Sequence, residues 1–192
     1  MKEKNPLFCN RPYPLIRLTS LIFATIAALS SDLAFGTAGD RPNIVFIFSD
    51  DHCQQALSAY DPERITTPNM DRLAKEGMMF NRCYVTNAIC GPSRAVIQTG
   101  KYSHINGFAV NGIVFNGDQQ TFPKLLQKEG YQTAVVGKWH LASTPQGYDY
   151  FDVLVGQGPY YNPPMKTTDD NGKVVTREHT GYTTEIITEK TL

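Results

Sequence analysis

Six side chains that can do chemistry are distributed over three short segments of this 192-residue sequence. They are two carboxylates, a thiol, a guanidinium, an amine and an imidazole: Asp50, Asp51, Cys90, Arg94, Lys138 and His140. Each lies where an apolar, strand-like run ends or where a predicted helix begins. In open α/β sheets, ligands bind beyond the carboxyl ends of the strands. The distribution therefore predicts an active site.

Asp50 and Asp51 come directly after the apolar run 43–49. Two adjacent carboxylates repel each other, and their joint ionisation is disfavoured unless a cation neutralises them. Hard divalent cations prefer oxygen ligands, so Ca²⁺, with Mg²⁺ as the other choice, is the expected occupant. A solvated turn or a helix cap is the alternative that these two residues alone leave open.

Cys90 is followed by Gly91 and Pro92, which predicts that the cysteine lies just before a helix. Free N–H groups and the helix dipole at such a point favour an anion, so a reactive thiolate is one interpretation. Arg94 lies one turn into the same helix and can reach back to this point. A buried structural cysteine beside a surface arginine is the alternative.

Lys138 and His140 are two residues apart, so on an extended segment they would project to the same side. A lysine and a histidine together suit an anionic oxygen group and a proton transfer. One exposed lysine and one hydrogen-bonded core histidine are the alternative. His104 is a weaker candidate for a helper, and His179 stands isolated in the sequence.

Alternating strands and helices would position these side chains. Strands are predicted at 43–49, 78–85 and 131–136, helices at 67–77, 92–99, 121–129 and from Thr183, and loops at 106–117 and, rich in aromatic residues, at 148–161. The helix boundaries follow from Thr-Pro or Thr at the start and Gly at the end. This alternation predicts an α/β fold with a mainly parallel sheet sandwiched by helices.

Residues 1–38 have the pattern of a secretory signal peptide, with four basic residues before an uncharged apolar stretch and small residues after it. Cleavage is expected after Gly36 or Ala38. The uncharged, mainly apolar stretch 18–29 has twelve residues, fewer than the ~20 that span a bilayer, so an uncleaved membrane anchor is the less favoured alternative. We therefore expect an exported protein, periplasmic or secreted, without a stable membrane anchor.

Removing residues 1–38 takes four of the 18 basic and two of the 18 acidic residues, which leaves a formal charge of −2. A nucleic-acid binder would show a clustered basic face, so nucleic acid is not an expected partner. Cys53, Cys83 and Cys90 remain, and an odd number in an exported chain leaves one cysteine unpaired. Cys90 is the candidate, and Cys53 and Cys83 then either pair or are buried.

The order and spacing of these motifs resemble the sulfatase family, within the alkaline-phosphatase-like superfamily. The resemblance covers about residues 41–155, and the matching segments are 41–51, 67–74, Cys90-Gly91-Pro92-Ser93-Arg94 running on to Thr99-Gly100-Lys101-Tyr102, and Gly137-Lys138-Trp139-His140-Leu141. It implies an alkaline-phosphatase-like α/β fold, with a signal peptide at 1–38 and the N-terminal part of a sulfatase catalytic domain at 39–192.

The resemblance also implies a chemistry. In this family dedicated formylglycine-generating machinery oxidises the motif cysteine to formylglycine, and one hydroxyl of the hydrated aldehyde attacks the sulfur of a sulfate ester. The second hydroxyl then loses its proton, which releases inorganic sulfate and regenerates the aldehyde. The expected substrate is a sulfated carbohydrate. The aromatic side chains of the segment 148–161 could stack on its sugar rings, or they could simply pack the long loop.

Roles for individual residues follow from the same resemblance. Asp50, Asp51 and the modified Cys90 are expected to bind Ca²⁺, which polarises the sulfate. Arg94 is expected to hold the gem-diol. Lys138 would bind a sulfate oxygen and stabilise developing charge, and His140 would take the proton from the second hydroxyl.

Some features of the family pattern are absent from this sequence. The downstream Asp–Asn or Asp–His metal pair, a second histidine and a further lysine are not placed in the 192 residues, and Ala142 stands where glycine is usual. The last segment begins a capped helix in which the chain stops, so we expect a truncated chain. A phosphoesterase of the same superfamily and a truncated, non-catalytic chain are the two alternatives.

Overall fold

The computed structural model describes residues 41–192. Its contacts divide the chain into two units, Met1–Phe48 and Ser49–Leu192. Of the first unit, residues 41–48 are described: they are exposed and outside any strand, and the rings of Phe46 and Phe48 stack with centroids 6.1 Å apart. The predicted signal peptide lies outside the described residues.

A four-stranded sheet lies in the second unit. Its strands are β1 (Ala134–Gly137), β2 (Tyr150–Leu154), β3 (Pro164–Thr168) and β4 (Val174–Glu178), in that spatial order. β1 and β2 pair in parallel, whereas β2, β3 and β4 pair antiparallel. Parallel strands need a crossover connection, and the one between β1 and β2 contains Lys138 and His140.

A 3₁₀ turn at Gln54–Ala56 and five α-helices complete the described chain. The helices are α1 (Pro68–Glu76), α2 (Cys90–Thr99), α3 (Ser103–Asn106), α4 (Phe122–Lys128) and α5 (Thr183–Thr191). α1 begins with Pro after Thr67 and ends at Gly77. α2 ends at Gly100, whose φ of 64° is the left-handed conformation that closes a helix without strain.

Aromatic side chains form the core beside α2 and β2. Phe108, Phe115, Trp139 and Tyr148 follow one another in edge-to-face contacts, with ring centroids 6.1–6.4 Å apart. Ala95, Leu141, Phe151 and Val153 complete this buried cluster. Such aromatic pairs add ~0.5–1.5 kcal/mol beyond the area they bury. The cluster holds the segment around Trp139 against the helix that begins at Cys90.

The predicted helices at 67–77, 121–129 and from Thr183 are confirmed. The helix predicted at 92–99 is confirmed as well, but it begins at Cys90 rather than at Pro92. The strands predicted at 43–49 and 78–85 are wrong. Their apolar side chains are exposed, Tyr84 by 86%, since no strand among residues 41–192 pairs with either segment. The described sheet is consequently mixed rather than mainly parallel.

Two further expectations need correction. The segment 148–161 is predicted to be loop, but β2 lies within it, and residues 151–154 of this strand are all buried. Cys53 and Cys83 are neither paired nor buried: both are free and exposed, each outside helices and strands. Among residues 41–192, no helix is long and apolar enough to cross a membrane.

Candidate active site

Cys90 is the first residue of α2 and is half-buried, with a free thiol. Ile89 precedes the helix in an extended conformation, and its carbonyl accepts the N–H of Ser93 at 3.0 Å. The first N–H groups of a helix have no partner within the helix. A nucleophile at this position therefore faces backbone donors and the positive end of the helix dipole.

Asn111, which the sequence analysis did not single out, contacts this position. Its Oδ1 accepts the Gly91 N–H at 3.0 Å, and its Nδ2 donates to the Cys90 Sγ at 3.2 Å. The only local signal is the Asn111-Gly112 pair, which indicates a turn and not a contact with a residue 21 positions earlier.

Gly91 makes this close approach possible. A Cβ at residue 91 would lie 2.6 Å from the Asn111 Oδ1, 2.8 Å from the Phe108 Cε1 and 3.3 Å from the His140 carbonyl oxygen. Distances below 3.0 Å are shorter than real Cβ contacts, so a larger residue would displace its neighbours. The glycine lets the loop with Asn111 and the segment with His140 both pack against the start of α2.

Arg94 lies one turn into α2 and connects it to the other segments. Its side chain is 12% exposed, its Nη1 donates to the Lys138 carbonyl oxygen, and its Nη2 lies 3.8 Å from the Asp50 Oδ2. Burial lowers the pKa of Arg94, while the charges of Asp50 and Cys90 oppose this. An arginine keeps its charge under such shifts, so a buried cation lies beside the thiol.

Asp50 and Lys138 form an ion pair, in which the Lys138 Nζ donates to the Asp50 Oδ2. Partial burial opposes ionisation of Asp50, but the hydrogen bond and charge of Lys138, with the charge of Arg94, lower the pKa of the carboxyl below its usual value. The charge of Asp50 is thus neutralised by two protein cations in this structure.

His140 lies in the same region but in a different orientation from the one expected. Its φ of 52° is left-handed, so the segment after β1 is not extended and the rule that places Lys138 and His140 on the same side does not hold. The His140 Nδ1 is buried without a hydrogen-bond partner. Burial, with the charges of Lys138 and Arg94, lowers the pKa of His140. These effects favour the neutral imidazole over the imidazolium.

The remaining candidates are placed apart from these contacts. Asp51 is exposed, with a left-handed φ of 47°, and its side chain makes no hydrogen bond or ion pair within residues 41–192. His104 is exposed, and its ring stacks on Tyr102. His179 has a buried Nε2 without a partner. The structure thus joins Asp50, Arg94 and Lys138 directly, and brings Asn111 to Cys90.

The donor set for a metal ion is small. Asp50 and Asp51 supply carboxylate oxygens, the donor type that Ca²⁺ prefers, but Ca²⁺ takes ~6–8 oxygens. Across residues 41–192, no cluster of three or more His, Cys, Asp or Glu side chains is placed to hold a metal ion. These residues therefore do not fit a divalent cation by themselves.

Comparison with known proteins identifies a family. The sulfatase family model matches residues 42–192. The chain is 56% identical over 155 residues to N-acetylglucosamine-6-O-sulfatase of Bacteroides thetaiotaomicron. This alignment covers 79% of the chain and 27% of that relative. It is 37% identical over 146 residues to human N-acetylgalactosamine-6-sulfatase. This second alignment covers 65% of the chain and 28% of that relative.

A solved structure gives the same result. The matching structure is that of BT4656 in complex with its substrate D-glucosamine-2-N,6-O-disulfate. The TM-score is 0.72 and the sequence identity 56%, and the match covers 79% of the present chain and 30% of the BT4656 chain. The likeness confirms the predicted α/β, alkaline-phosphatase-like fold class. The chain spans between about a quarter and a third of the length of these relatives, 27–30%. From the matched motifs, the family model and these relatives together, the chain belongs to the sulfatase family.

Proposed function

We propose that the protein is a sulfuric ester hydrolase that releases inorganic sulfate from a sulfated carbohydrate, with residue 90 as the nucleophile after its oxidation to formylglycine. The observation that carries this proposal is the convergence at Cys90. Arg94 lies one turn away from it and binds the Lys138 carbonyl, and Lys138 binds Asp50. Two segments of the sequence thus bring one cation each, Arg94 and Lys138, and a third brings the carboxylate of Asp50 to the same set of contacts.

The chemical class of the substrate follows from the relatives. The N-acetylglucosamine-6-O-sulfatase relative is 56% identical, and BT4656 was solved with a 6-O-sulfated glucosamine. We therefore propose a 6-O-sulfated amino sugar as the substrate. Phe151 is buried and Tyr148 packs on Trp139, so these two cannot stack on a sugar, whereas Tyr160 and Tyr161 are 81% and 64% exposed.

The side chains around residue 90 have distinct tasks. Converted to formylglycine, residue 90 supplies a hydrated aldehyde, one hydroxyl of which is the nucleophile. Arg94, held by the Lys138 carbonyl and by Asp50, orients the oxygens of residue 90 and offsets their charge. His140 is the proposed acceptor of the proton from the second hydroxyl, since its lowered pKa favours the neutral form that has a free nitrogen lone pair.

Lys138 is proposed to stabilise charge on the sulfate. In this structure its Nζ is bound to Asp50, so contact with a sulfate oxygen requires the ammonium to share or leave that carboxylate. An ammonium group has three donors, which permits sharing. A divalent cation of the family, Ca²⁺ or Mg²⁺, would draw on Asp50 and Asp51, but residues 41–192 do not complete its donor set.

Two proposals concern the rest of the chain. The pattern of residues 1–38 supports export to the periplasm or to the outside of the cell. The proposed nucleophile also requires formylglycine-generating machinery as a partner, which must reach Cys90 while that residue is accessible.

The decisive experiment is mass spectrometry of the tryptic fragment 83–94 from protein made in its native host. An aldehyde at residue 90 with an unoxidised Cys83 is the expected result. Cys83 is an internal control, because it is exposed and lies in the same peptide. An unmodified thiol at residue 90 would refute the proposed nucleophile.

A second assay separates the reaction classes. Release of sulfate from a 6-O-sulfated N-acetylglucosamine is compared with release of phosphate from the matching phosphate ester, using the full chain. Preferred hydrolysis of the sulfate ester is expected, and Cys90→Ala should abolish it. Preferred hydrolysis of the phosphate ester would instead identify a phosphoesterase.

A further inference from the structure

The side-chain amide of Asn111 is fixed in one orientation by the backbone. The Gly91 N–H can only donate, so the Asn111 atom that meets it at 3.0 Å is the carbonyl Oδ1. This N–H belongs to the first turn of α2 and has no partner within the helix. In this orientation the Asn111 Nδ2 lies 3.2 Å from the Cys90 Sγ, closer than the Oδ1, which accepts from the same thiol at 3.5 Å. The donor is aimed at the side chain of residue 90 by the helix itself.

The loop that carries Asn111 is held at both ends. Phe108 and Phe115 are 1% and 3% exposed and pack edge to face, and the Phe115 N–H donates to the Leu141 carbonyl oxygen at 3.0 Å. Gly112 has a φ of 91°, a conformation that side chains rarely adopt, so the chain can turn directly after Asn111. The position of the amide is therefore built by the core and by two glycines, Gly91 and Gly112.

We propose that Asn111 is a positioning residue for the nucleophile at residue 90, an inference that rests on the proposed function. The Cys90 Sγ occupies the place of the oxygens of hydrated formylglycine. Hydration adds one water to the aldehyde: the water oxygen bonds to the carbonyl carbon and one proton moves to the carbonyl oxygen. The Asn111 Nδ2 donates to one oxygen of the resulting diol, which favours the hydrate over the free aldehyde and fixes the direction of the other hydroxyl.

The test uses the full chain, made with formylglycine conversion, and two substitutions. Asn111→Asp keeps an acceptor for the Gly91 N–H and removes the Nδ2 donor, whereas Asn111→Leu removes both and keeps similar volume. Asn116→Ala is the matched control, because Asn116 lies in the same loop and its Oδ1 accepts only the local Asp118 N–H, at 3.0 Å.

The first readout does not depend on turnover. O-methylhydroxylamine reacts with the free aldehyde to form an oxime and water, so the rate of oxime formation at residue 90 reports the unhydrated fraction. Loss of one hydrogen bond to the hydrate should make capture about three- to tenfold faster in both Asn111 variants at neutral pH. Asn116→Ala should match the unsubstituted protein.

The second readout is the division between kcat and KM. Because the proposed hydrogen bond of Asn111 is to the nucleophile and not to the sugar, kcat should fall about three- to tenfold while KM stays nearly unchanged. Unchanged capture and unchanged kcat in Asn111→Asp, with residue 90 converted, would overturn this inference alone. An unmodified thiol at residue 90 in the unsubstituted protein would overturn the proposed function and this inference with it.

Discussion

Substitution of Gly91 by alanine tests the close packing at the start of α2. The added Cβ would meet the Asn111 Oδ1 at 2.6 Å and the Phe108 Cε1 at 2.8 Å. Asn111 is exposed and can shift only by giving up its hydrogen bond to the Gly91 N–H, whereas Phe108 is 1% exposed and has no room to shift. Overpacking of this kind costs about 1–3 kcal/mol.

The higher helix propensity of alanine partly offsets the steric cost of Gly91→Ala. Alanine is preferred over glycine within helices by about 0.5–1 kcal/mol, and less in the first turn, where Gly91 lies. The net expectation for Gly91→Ala is a loss of about 1–2 kcal/mol in the free energy of unfolding, measured by denaturant titration. A variant that is equally stable or more stable than the unsubstituted protein would refute the steric argument.

A double-mutant cycle identifies which neighbour is responsible. Asn111→Ala removes one of the two clashing atoms, so Gly91→Ala should cost less in that background, by at least about 0.5 kcal/mol. Strict additivity of the two substitutions would show that Asn111 is not displaced by the new methyl group, and that the cost arises at Phe108 or His140.

Two further predictions concern groups away from residue 90. Lys190→Met should destabilise the protein by roughly 2–4 kcal/mol in denaturant titration, because the Lys190 Nζ lies 2.7 Å from the Oδ2 of the buried Asp152 and compensates its charge. Lys128→Met, at an exposed position, is the control and should change the stability little. Burial raises the pKa of Tyr148 to about 12, although the hydrogen bond to Gln98 opposes this. One of the ten tyrosines should therefore ionise late in an ultraviolet titration of the folded protein, and Tyr148→Phe should remove that step. Since the unfolded phenol ionises near pH ~10, the contribution of Tyr148 to stability is complete below that pH and is lost as the pH rises towards 12.

Local sequence signals predicted the helices well. The Thr67-Pro68 start and the Gly77 end of α1, and the Gly100 end of α2, depend on backbone chemistry that is encoded within a few residues. Lys138 directly follows β1, so its place at a strand end was predictable as well. Such features need no knowledge of distant parts of the chain.

Strands depend on partners, and this explains the errors. The run 43–49 is as apolar as a buried strand, but it has no pairing neighbour among residues 41–192. Conversely, β3 and β4 were missed, although Asn171-Gly172 between them is a hairpin turn signal and the Asp169 Oδ1 accepts the Asn171 and Lys173 N–H groups. The composition of a segment does not determine whether it pairs.

The site shows the same limit. The residue types at positions 50, 90, 94, 138 and 140 were sufficient to indicate chemistry, but the ion pair of Lys138 with Asp50 joins residues 88 positions apart. The left-handed His140 and the contact of Asn111 with Cys90 are set by how the loops pack on Trp139 and Phe108. Spacing rules for regular strands and helices do not reach such contacts.

The contacts around residue 90 differ greatly in the length of chain that they close. Asn111 reaches Cys90 across 21 positions, Arg94 reaches Lys138 across 44, and Lys138 reaches Asp50 across 88. Each doubling of a closed loop adds about 0.6 kcal/mol of entropic cost, so the shortest loop closes most readily. During synthesis, the loop with Asn111 also emerges before Lys138 does. If residue 90 is converted to formylglycine as proposed, folding of residues 107–117 would limit the time in which the modifying enzyme can reach Cys90, and variants that slow this folding should raise the converted fraction of the protein.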